Sequence, residues 1–169
     1  MNSFFSFIYP ENSKDSVLIR LGLGNHDQLY TEKTQLLDQL HIANNCELKV
    51  LQSPEFISSH LLAFVRVFNM NREQLNHWTN SERAVDLLHI DCGLETSLEL
   101  KTWMFLQTRL GILLRVFPTT LEDDENTLMN HQKGQAKLGH IKAMLLQYRI
   151  LEKKILINAL DYAKQRTKI

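Results

Sequence analysis

The side chains best suited to metal or redox chemistry do not form a recognisable site in the sequence. The chain has seven histidines and two cysteines, and His89 lies three residues before Cys92, so the two would share one face of a helix. A structural zinc site needs a second pair of ligands at similar spacing, and no such pair lies nearby. The pattern favours ordinary, partly buried side chains, and we predict no metal site.

The acidic run Glu122 to Glu125 could in principle hold a cation or supply paired carboxylates for acid–base catalysis. It lacks the glycine and the interleaved spacing of a calcium-binding loop. Pro118 ends the preceding helix, and Thr119 and Thr120 are each followed three residues later by an acidic residue, which is a helix-capping pattern. Carboxylates in a first turn also interact favourably with the exposed N–H groups there. We therefore interpret the run as the start of a helix.

Motifs of known catalytic families are absent from the sequence. It contains no GxGxxG, GxxxxGK[ST], GxSxG or HExxH pattern. Its large aromatic residues, such as Phe64, Phe68, Trp103 and Phe117, fall on apolar helix stripes, which favours core packing over a ligand pocket. We predict no catalytic residue in this chain.

Apolar helices are the elements that must position any functional surface. The largest stripe follows one face of a helix that stops before Pro118, and its members are Leu98, Trp103, Leu106, Leu110, Leu113, Leu114 and Phe117. A helix over residues 57–70 is apolar on more than one face and should be buried. Gly134 interrupts the chain, and from Leu138 onward the spacing predicts one long amphipathic helix to the C-terminus.

Turn and capping residues predict the remaining boundaries. Capping boxes are suggested by three pairs: Asn25 with Gln28, Asn71 with Gln74, and Thr96 with Glu99. Ser53-Pro54 is typical of a helix start. Residues 17–22 and 46–51 predict two short strands that pair with each other. The fold class that results is mainly α, a helical domain over residues 16–169 with a small β element near the N-terminus.

Composition narrows the class of partners. A chain of 169 residues with 44% hydrophobic residues can bury one core. Nineteen basic residues balance nineteen acidic ones, which argues against nucleic acid as a partner. The opening MNSFFSFIY lacks a basic signal-peptide region, and no stretch approaches the roughly 20 apolar residues that span a bilayer. We therefore expect no membrane partner. Two cysteines without a disulfide framework suit a reducing compartment, so we expect the chain in the cytoplasm, with the nucleus as the alternative.

The C-terminal quarter of the chain is strongly basic. Between Lys133 and Ile169 it has nine lysine and arginine residues and two acidic ones. A solvated helix face is the simpler interpretation, and a surface for an acidic protein partner is the alternative. On the second interpretation, Lys153 and Lys154 are the weak candidates for contacts with a protein substrate.

Three stretches resemble one known family: LLAFVRVFNM (Leu61–Met70), LKTWMFLQTRLGILLRVFPTTLEDD (Leu100–Asp124) and ILEKKIL (Ile150–Leu156). They are similar to the C-terminal substrate-binding domain of SET methyltransferases of the Rubisco large-subunit type. Within that family the similarity is greatest to the branch that methylates a histidine of actin. The resemblance implies S-adenosylmethionine as the cofactor of the complete enzyme, and actin and the SET domain as partners.

The N-terminal edge adds to the resemblance. Phe7, Asn12 and Asp15 match the pattern with which the family leaves its SET domain, although Ser6 stands where glycine is usual. In the family, the phenylalanine packs against the adenine of S-adenosylmethionine, so the resemblance makes Phe7 a cofactor contact in a complete protein. Residues 1–15 are then the residual edge of a SET domain whose core lies outside this chain.

Two expectations follow from the resemblance. The chain alone should be catalytically inert, because methyl transfer needs a pocket that positions both reactants and excludes water. The apolar residues from Phe4 to Tyr9, which would otherwise face the SET domain, should promote self-association. Two alternatives stay open: the substrate-binding domain of an enzyme that methylates lysine, and a stand-alone helical interaction module.

Overall fold

The structure, a computed structural model, describes residues 15–134 and 138–168. Its elements in chain order are β1 (Ser16–Gly22), α1 (Tyr30–Gln39), β2 (Asn45–Leu51), α2 (Ser59–Phe68), α3 (Arg72–Asn80), a 3-10 helix (Ala84–Leu88), α4 (Thr96–Val116), α5 (Leu121–Gln132) and α6 (His140–Arg166). Six helices and 62% helix content confirm the mainly α class. Phe7 and Asn12 lie outside the described residues, and the division of the chain at residue 15 stays a prediction.

The two predicted strands form an antiparallel pair. Their register runs from Ser16 opposite Leu51 to Gly22 opposite Asn45. Side chains alternate across the strand, so Ile19 and Leu21 are buried and Leu18 faces outward with 54% of its surface exposed. The inward face packs against the helical core, and α6 contacts both strands.

The centre of the core is α2, as its apolar composition predicts. Every residue from Leu61 to Val67 is buried, including Arg66. The predicted start at Ser53-Pro54 is wrong, because the chain turns there and Ile57 forms a β-bridge with Val50 before the helix begins. The N-cap is Ser58, whose hydroxyl accepts a hydrogen bond from the amide of Leu61 at 3.2 Å.

Of the capping patterns in the sequence, two are realised and two are not. Asn71 with Gln74 opens α3, and Thr120 with Asp123 opens α5, both as reciprocal capping boxes. The Asn25–Gln28 box is wrong: α1 begins later, and Asp27 accepts a hydrogen bond from the amide of Leu29 at 2.8 Å instead. The Thr96–Glu99 box is also wrong, because Thr96 is already helical and the N-cap residue is Glu95.

The predicted corner between two helices is confirmed. α4 ends at Val116, Pro118 lies in the connection, and α5 starts after Thr120. Gly134 follows α5 with a φ of +75°, a conformation that glycine adopts without a steric penalty. α6 packs along both α4 and α5. The stripe of α4 is buried at Leu98, Trp103, Leu106 and Leu110 and half-buried toward the corner.

Candidate functional site

Lys153, one of the two predicted substrate contacts, lies inside the protein. Its side chain is 2% exposed, and its ammonium donates to the carbonyl of Thr119 at 2.8 Å and to the Thr119 hydroxyl at 3.0 Å. It also forms an ion pair with the Asp124 carboxylate and lies 5.0 Å from the ring centre of Phe117. We call Phe117, Thr119, Asp124 and Lys153 the corner cluster.

Local and long-range contacts build the corner cluster together. The α5 capping box places Asp124 in the first helical turn, where its Oδ1 accepts a hydrogen bond from the Thr119 hydroxyl at 2.6 Å. Lys153 then approaches from α6, 29 residues further along the chain. The acidic run therefore has two functions in the fold, since Asp123 caps α5 and Asp124 neutralises a buried lysine.

Lys154, the other predicted contact, is half-buried, and whether either lysine contacts a substrate stays a prediction. Burial of the Lys153 charge removes it from the basic face of α6. Lysines and arginine with exposed side chains remain on this helix and beyond its end: Lys142, Arg149, Lys164 and Lys168. The interpretation of the basic run as a solvated face therefore fits these four residues and does not extend to Lys153.

A second buried cation, Arg66, lies in the middle of the core and is 0% exposed. Its Nη1 donates to the carbonyls of Leu87 and His89 at 2.9 and 2.7 Å, and its Nη2 lies 3.5 Å from a Glu99 oxygen. The same Glu99 oxygen accepts from the indole N–H of Trp103 at 2.7 Å and lies 3.7 Å from Arg166. Arg66, Glu99, Trp103 and Arg166 are referred to as the arginine cluster.

The arginine cluster explains the missing cap of α4. Glu99 is drawn toward Trp103 and Arg66 rather than back to the start of its own helix. Burial lowers the pKa of Arg66 and the neighbouring Glu99 carboxylate opposes that shift, so the guanidinium keeps its charge. The cluster connects α2, the segment after the 3-10 helix, α4 and α6, and its chemistry is that of a structural network.

A groove of about 390 Å³ lies between β1 and α6. It is lined by Asp15, Ser16, Val17, Leu18, Lys49, Tyr148, Leu151, Glu152 and Ile155. Asp15 is only 8% exposed and its Oδ2 has no hydrogen-bond partner. Burial raises the pKa of Asp15, and it raises the pKa of Glu152 against the opposing effect of Arg149 and Lys153. Sequence patterns did not predict this groove.

Apolar side chains extend from the groove along α6. Ile141, Leu145 and Tyr148 are 68%, 55% and 44% exposed, and Leu18 of β1 is 54% exposed beside the groove. Their spacing of four and three residues places the α6 members on one face. A contiguous exposed apolar face of this kind is typical of an interaction surface. We call Leu18, Ile141, Leu145 and Tyr148 the α6 face.

Other chemistry is not assembled in residues 15–134 and 138–168. No group of three or more histidine, cysteine, aspartate or glutamate side chains in this part of the chain is placed to hold a metal ion. No described helix is both long and apolar enough to cross a bilayer. Burial raises the pKa of Cys92, which keeps its thiol protonated and so disfavours a nucleophilic role.

A site for S-adenosylmethionine requires polar groups that converge on one pocket. Buried side-chain atoms without a partner are found on Asp15, Glu32, Thr34, Arg66 and Glu99. Of these residues, Arg66 and Glu99 adjoin each other, and they already belong to the arginine cluster. The unpartnered atoms that lie together thus belong to a structural network, and Phe7, the residue that the family resemblance assigns to the cofactor, lies outside the described residues.

Comparisons with known proteins give one consistent family. A family model described as Rubisco LSMT substrate-binding matches residues 24–156. The actin-histidine N-methyltransferase of Drosophila melanogaster is 48% identical over 165 residues, which are 96% of this chain and 30% of that protein. The human protein of the same description is 33% identical over 153 residues, covering 88% of this chain and 26% of its own length. This chain thus spans less than a third of either relative.

Solved structures show the same fold. Rubisco LSMT bound to AdoMet matches with a TM-score of 0.73 and 14% sequence identity, over 94% of this chain and 36% of that chain. A structure of the SET domain of LSMT bound to lysine and AdoHcy matches equally well, with a TM-score of 0.73 over 94% of this chain and 34% of that chain.

Proposed function

The chain belongs to the Rubisco LSMT substrate-binding family, as its sequence motifs predicted, and from this premise we propose that it recognises the protein substrate of a SET-type methyltransferase. We propose further that the substrate is actin and the modified residue a histidine. The observation that carries this proposal is the 48% identity to the Drosophila actin-histidine N-methyltransferase over 96% of the chain.

The lysine-methylating alternative has weaker support. The LSMT structures, one of them bound to lysine, share the fold at 14% identity, a level at which similarity extends to the fold alone. The relatives from Drosophila and human, at 48% and 33% identity, are both described as actin-histidine enzymes. We therefore favour actin, with a lysine-bearing protein as the alternative substrate.

In this proposal the chain binds and does not catalyse. Transfer of a methyl group from a sulfonium to an imidazole requires a pocket that aligns both partners and excludes water. We expect no such pocket in this chain, whose buried Arg66 and Lys153 serve the arginine cluster and the corner cluster. S-adenosylmethionine would supply the methyl group in a complete enzyme, in which Phe7 is the proposed cofactor contact. A SET domain outside this chain would supply the catalytic residues.

The surface proposed for actin is the cationic side of α6. Lys142, Arg149 and Lys164 are exposed there, and Lys154 is half-buried. Positive charge on one face steers association with an acidic protein and raises the association rate. Lys153 contributes to this surface only indirectly, because the corner cluster that it stabilises fixes α5 against α6.

Equilibrium titration of fluorescently labelled monomeric actin with the purified, folded chain tests the proposal. We expect saturable binding with a dissociation constant on the order of micromolar. Lys154→Glu should weaken it, whereas Lys101→Glu, an exposed charge reversal on α4, should leave it unchanged. Absence of binding by a chain with a native circular dichroism spectrum would contradict the proposal.

A methylation assay tests the second part of the proposal. The purified chain, mixed with actin and radiolabelled S-adenosylmethionine, should transfer no label above a protein-free control. A full-length relative serves as the positive control for the substrate. Label on actin that grows with the concentration of this chain would show that the chain is itself an enzyme.

A further inference from the structure

The α6 face is the uncovered continuation of a buried helix face. Tyr148, Ile155 and Ala159 follow one another at spacings of seven and four residues, so they lie on the same side of α6. Ile155 and Ala159 are 3% and 0% exposed. Tyr148 is 44% exposed, and Ile141, about two turns closer to the N-terminus of α6, is 68% exposed. The core that covers α6 therefore ends near Glu152.

We propose that the α6 face docks against the α6 face of a second copy of this chain, with the two helices antiparallel. The occupant is inferred from the pattern of charge along the face. Glu152 lies at its C-terminal end beside Asp15 in the groove, and Lys142 lies exposed at its N-terminal end. This inference does not rest on actin binding, and although Lys142 belongs to both proposed surfaces, experiments without actin test it separately.

An antiparallel arrangement brings opposite charges together twice. Pairing centred near Gln147 places Glu152 of one copy opposite Lys142 of the other, and the two-fold symmetry repeats the pair. Leu145 and Tyr148 then lie at the centre, where they exclude water from the contact. A parallel arrangement would instead place Lys142 against Lys142 and Glu152 against Glu152.

The groove contains two carboxylates, Asp15 and Glu152, and one lysine of its own, Lys49. Asp15 Oδ2 is buried without a hydrogen-bond partner, which is unfavourable for an acceptor. Glu152 adjoins Arg149 and Lys153, but the Lys153 ammonium is held by Asp124 in the corner cluster. Lys142 of a second copy would add an ammonium at this end of the face, next to Glu152.

Sedimentation equilibrium of the complete chain tests the proposal. We expect a reversible monomer–dimer equilibrium, and Leu145→Asp should raise the dissociation constant by about a hundredfold, because both copies lose a central apolar contact. Leu145 is 55% exposed in the single chain, so this variant should keep the melting temperature of the native chain. Lys164→Glu, an exposed charge reversal elsewhere on α6, is the matched control and should not change the equilibrium.

Charge exchange tests the antiparallel register directly. Lys142→Glu and Glu152→Lys should each weaken the dimer by about tenfold, and the double variant should restore it, since the pair re-forms with its signs reversed. A chain that stays monomeric up to roughly millimolar concentration would overturn the proposal. Association that persists in Leu145→Asp, or a double variant that fails to restore the dimer, would also overturn it. Association that is abolished by Phe4→Ser/Phe5→Ser would overturn it as well, because the contact would then belong to the apolar run at the N-terminus.

Discussion

The arginine cluster and the corner cluster both place a long cationic side chain inside the protein, and they satisfy it in different ways. Arg66 spreads its charge over backbone carbonyls and one shared carboxylate, and its Nε is left without a partner. Lys153 directs its three donors to the Thr119 carbonyl, the Thr119 hydroxyl and the Asp124 carboxylate. A planar guanidinium suits several fixed acceptors, and an ammonium suits a compact group around one point.

The difference reflects what each cluster connects. Arg66 reaches from α2 to carbonyls at the end of the 3-10 helix and just after it, and to Glu99 of α4, so it joins segments that are 21 to 33 residues apart along the chain. Lys153 holds one short corner against α6. We infer that the arginine cluster stabilises the whole fold, and that the corner cluster fixes mainly the angle between α5 and α6.

Replacement of Arg66 should have the largest effect. Arg66→Met leaves the carbonyls of Leu87 and His89 without a donor and should lower the free energy of unfolding by about 3–5 kcal/mol. Arg66→Lys should recover only part of this, because one ammonium cannot reach both the carbonyls and Glu99. Urea denaturation followed by circular dichroism measures both free energies of unfolding. If Arg66→Met lowers the free energy of unfolding by less than Lys153→Met does, our ranking of the two clusters is reversed.

Lys153→Met should cost about 3 kcal/mol, because it leaves the buried Asp124 carboxylate without its cation. The double variant Lys153→Met/Asp124→Leu should recover most of the loss, since it removes both charges from the interior. Hydrogen exchange should show faster opening of α5 with little change in α2. If α2 opens equally fast, the corner cluster stabilises more than the α5–α6 corner, and the distinction between the two clusters is wrong.

Removal of the α5 cap should have a smaller effect. Thr120→Ala deletes the hydroxyl that accepts from the amide of Asp123 at 3.1 Å and should cost about 1 kcal/mol. Asn71→Ala at the start of α3 is the matched control for a cap that contacts neither cluster. Thermal denaturation should show that Thr120→Ala and Asn71→Ala lose equal amounts of stability. If Thr120→Ala loses nearly as much stability as Lys153→Met, the cap is required for the corner cluster.

The smallest effects should come from two aspartates, Asp27 and Asp15, and they should have opposite signs. Lys33 lowers the pKa of Asp27 in the folded protein, so this carboxylate stabilises the fold above its unfolded pKa and the contribution is lost as pH falls through the folded value. Burial raises the pKa of Asp15, so its ionised form opposes folding at neutral pH and protonation relieves that cost as pH falls.

Asp27→Asn should therefore destabilise the chain at pH 7, and Asp15→Asn should stabilise it, each by about 1 kcal/mol or less. Both differences should shrink as pH falls below about 4, where the carboxyls are protonated in either state. Melting temperatures measured from pH 3 to 7 check this. If both variants lower the melting temperature at pH 7, Asp15 has a partner in solution, such as Lys142 of a second copy.

The sequence by itself determined the local features of this protein. The boxes Asn71–Gln74 and Thr120–Asp123 and the stop before Pro118 depend on neighbours within a few residues. Local residue patterns also predicted the two short strands, although these pair with each other across 23 to 35 residues. The apolar composition of α2 was sufficient to predict its central position, and the motifs of α2, α4 and α6 were sufficient to predict the family.

Only the tertiary structure determined which charged residues are buried and which groups they contact. Thr96–Glu99 has the spacing of a capping box, but Arg66, 33 residues away, and Trp103 hold Glu99 elsewhere. Lys153 looks like Lys154 in the sequence, and contact with Asp124, 29 residues away, buries it. The exposure of Ile141 and Leu145 likewise depends on where the core ends. A periodicity reports which side of a helix is apolar, and only packing decides whether that side is covered.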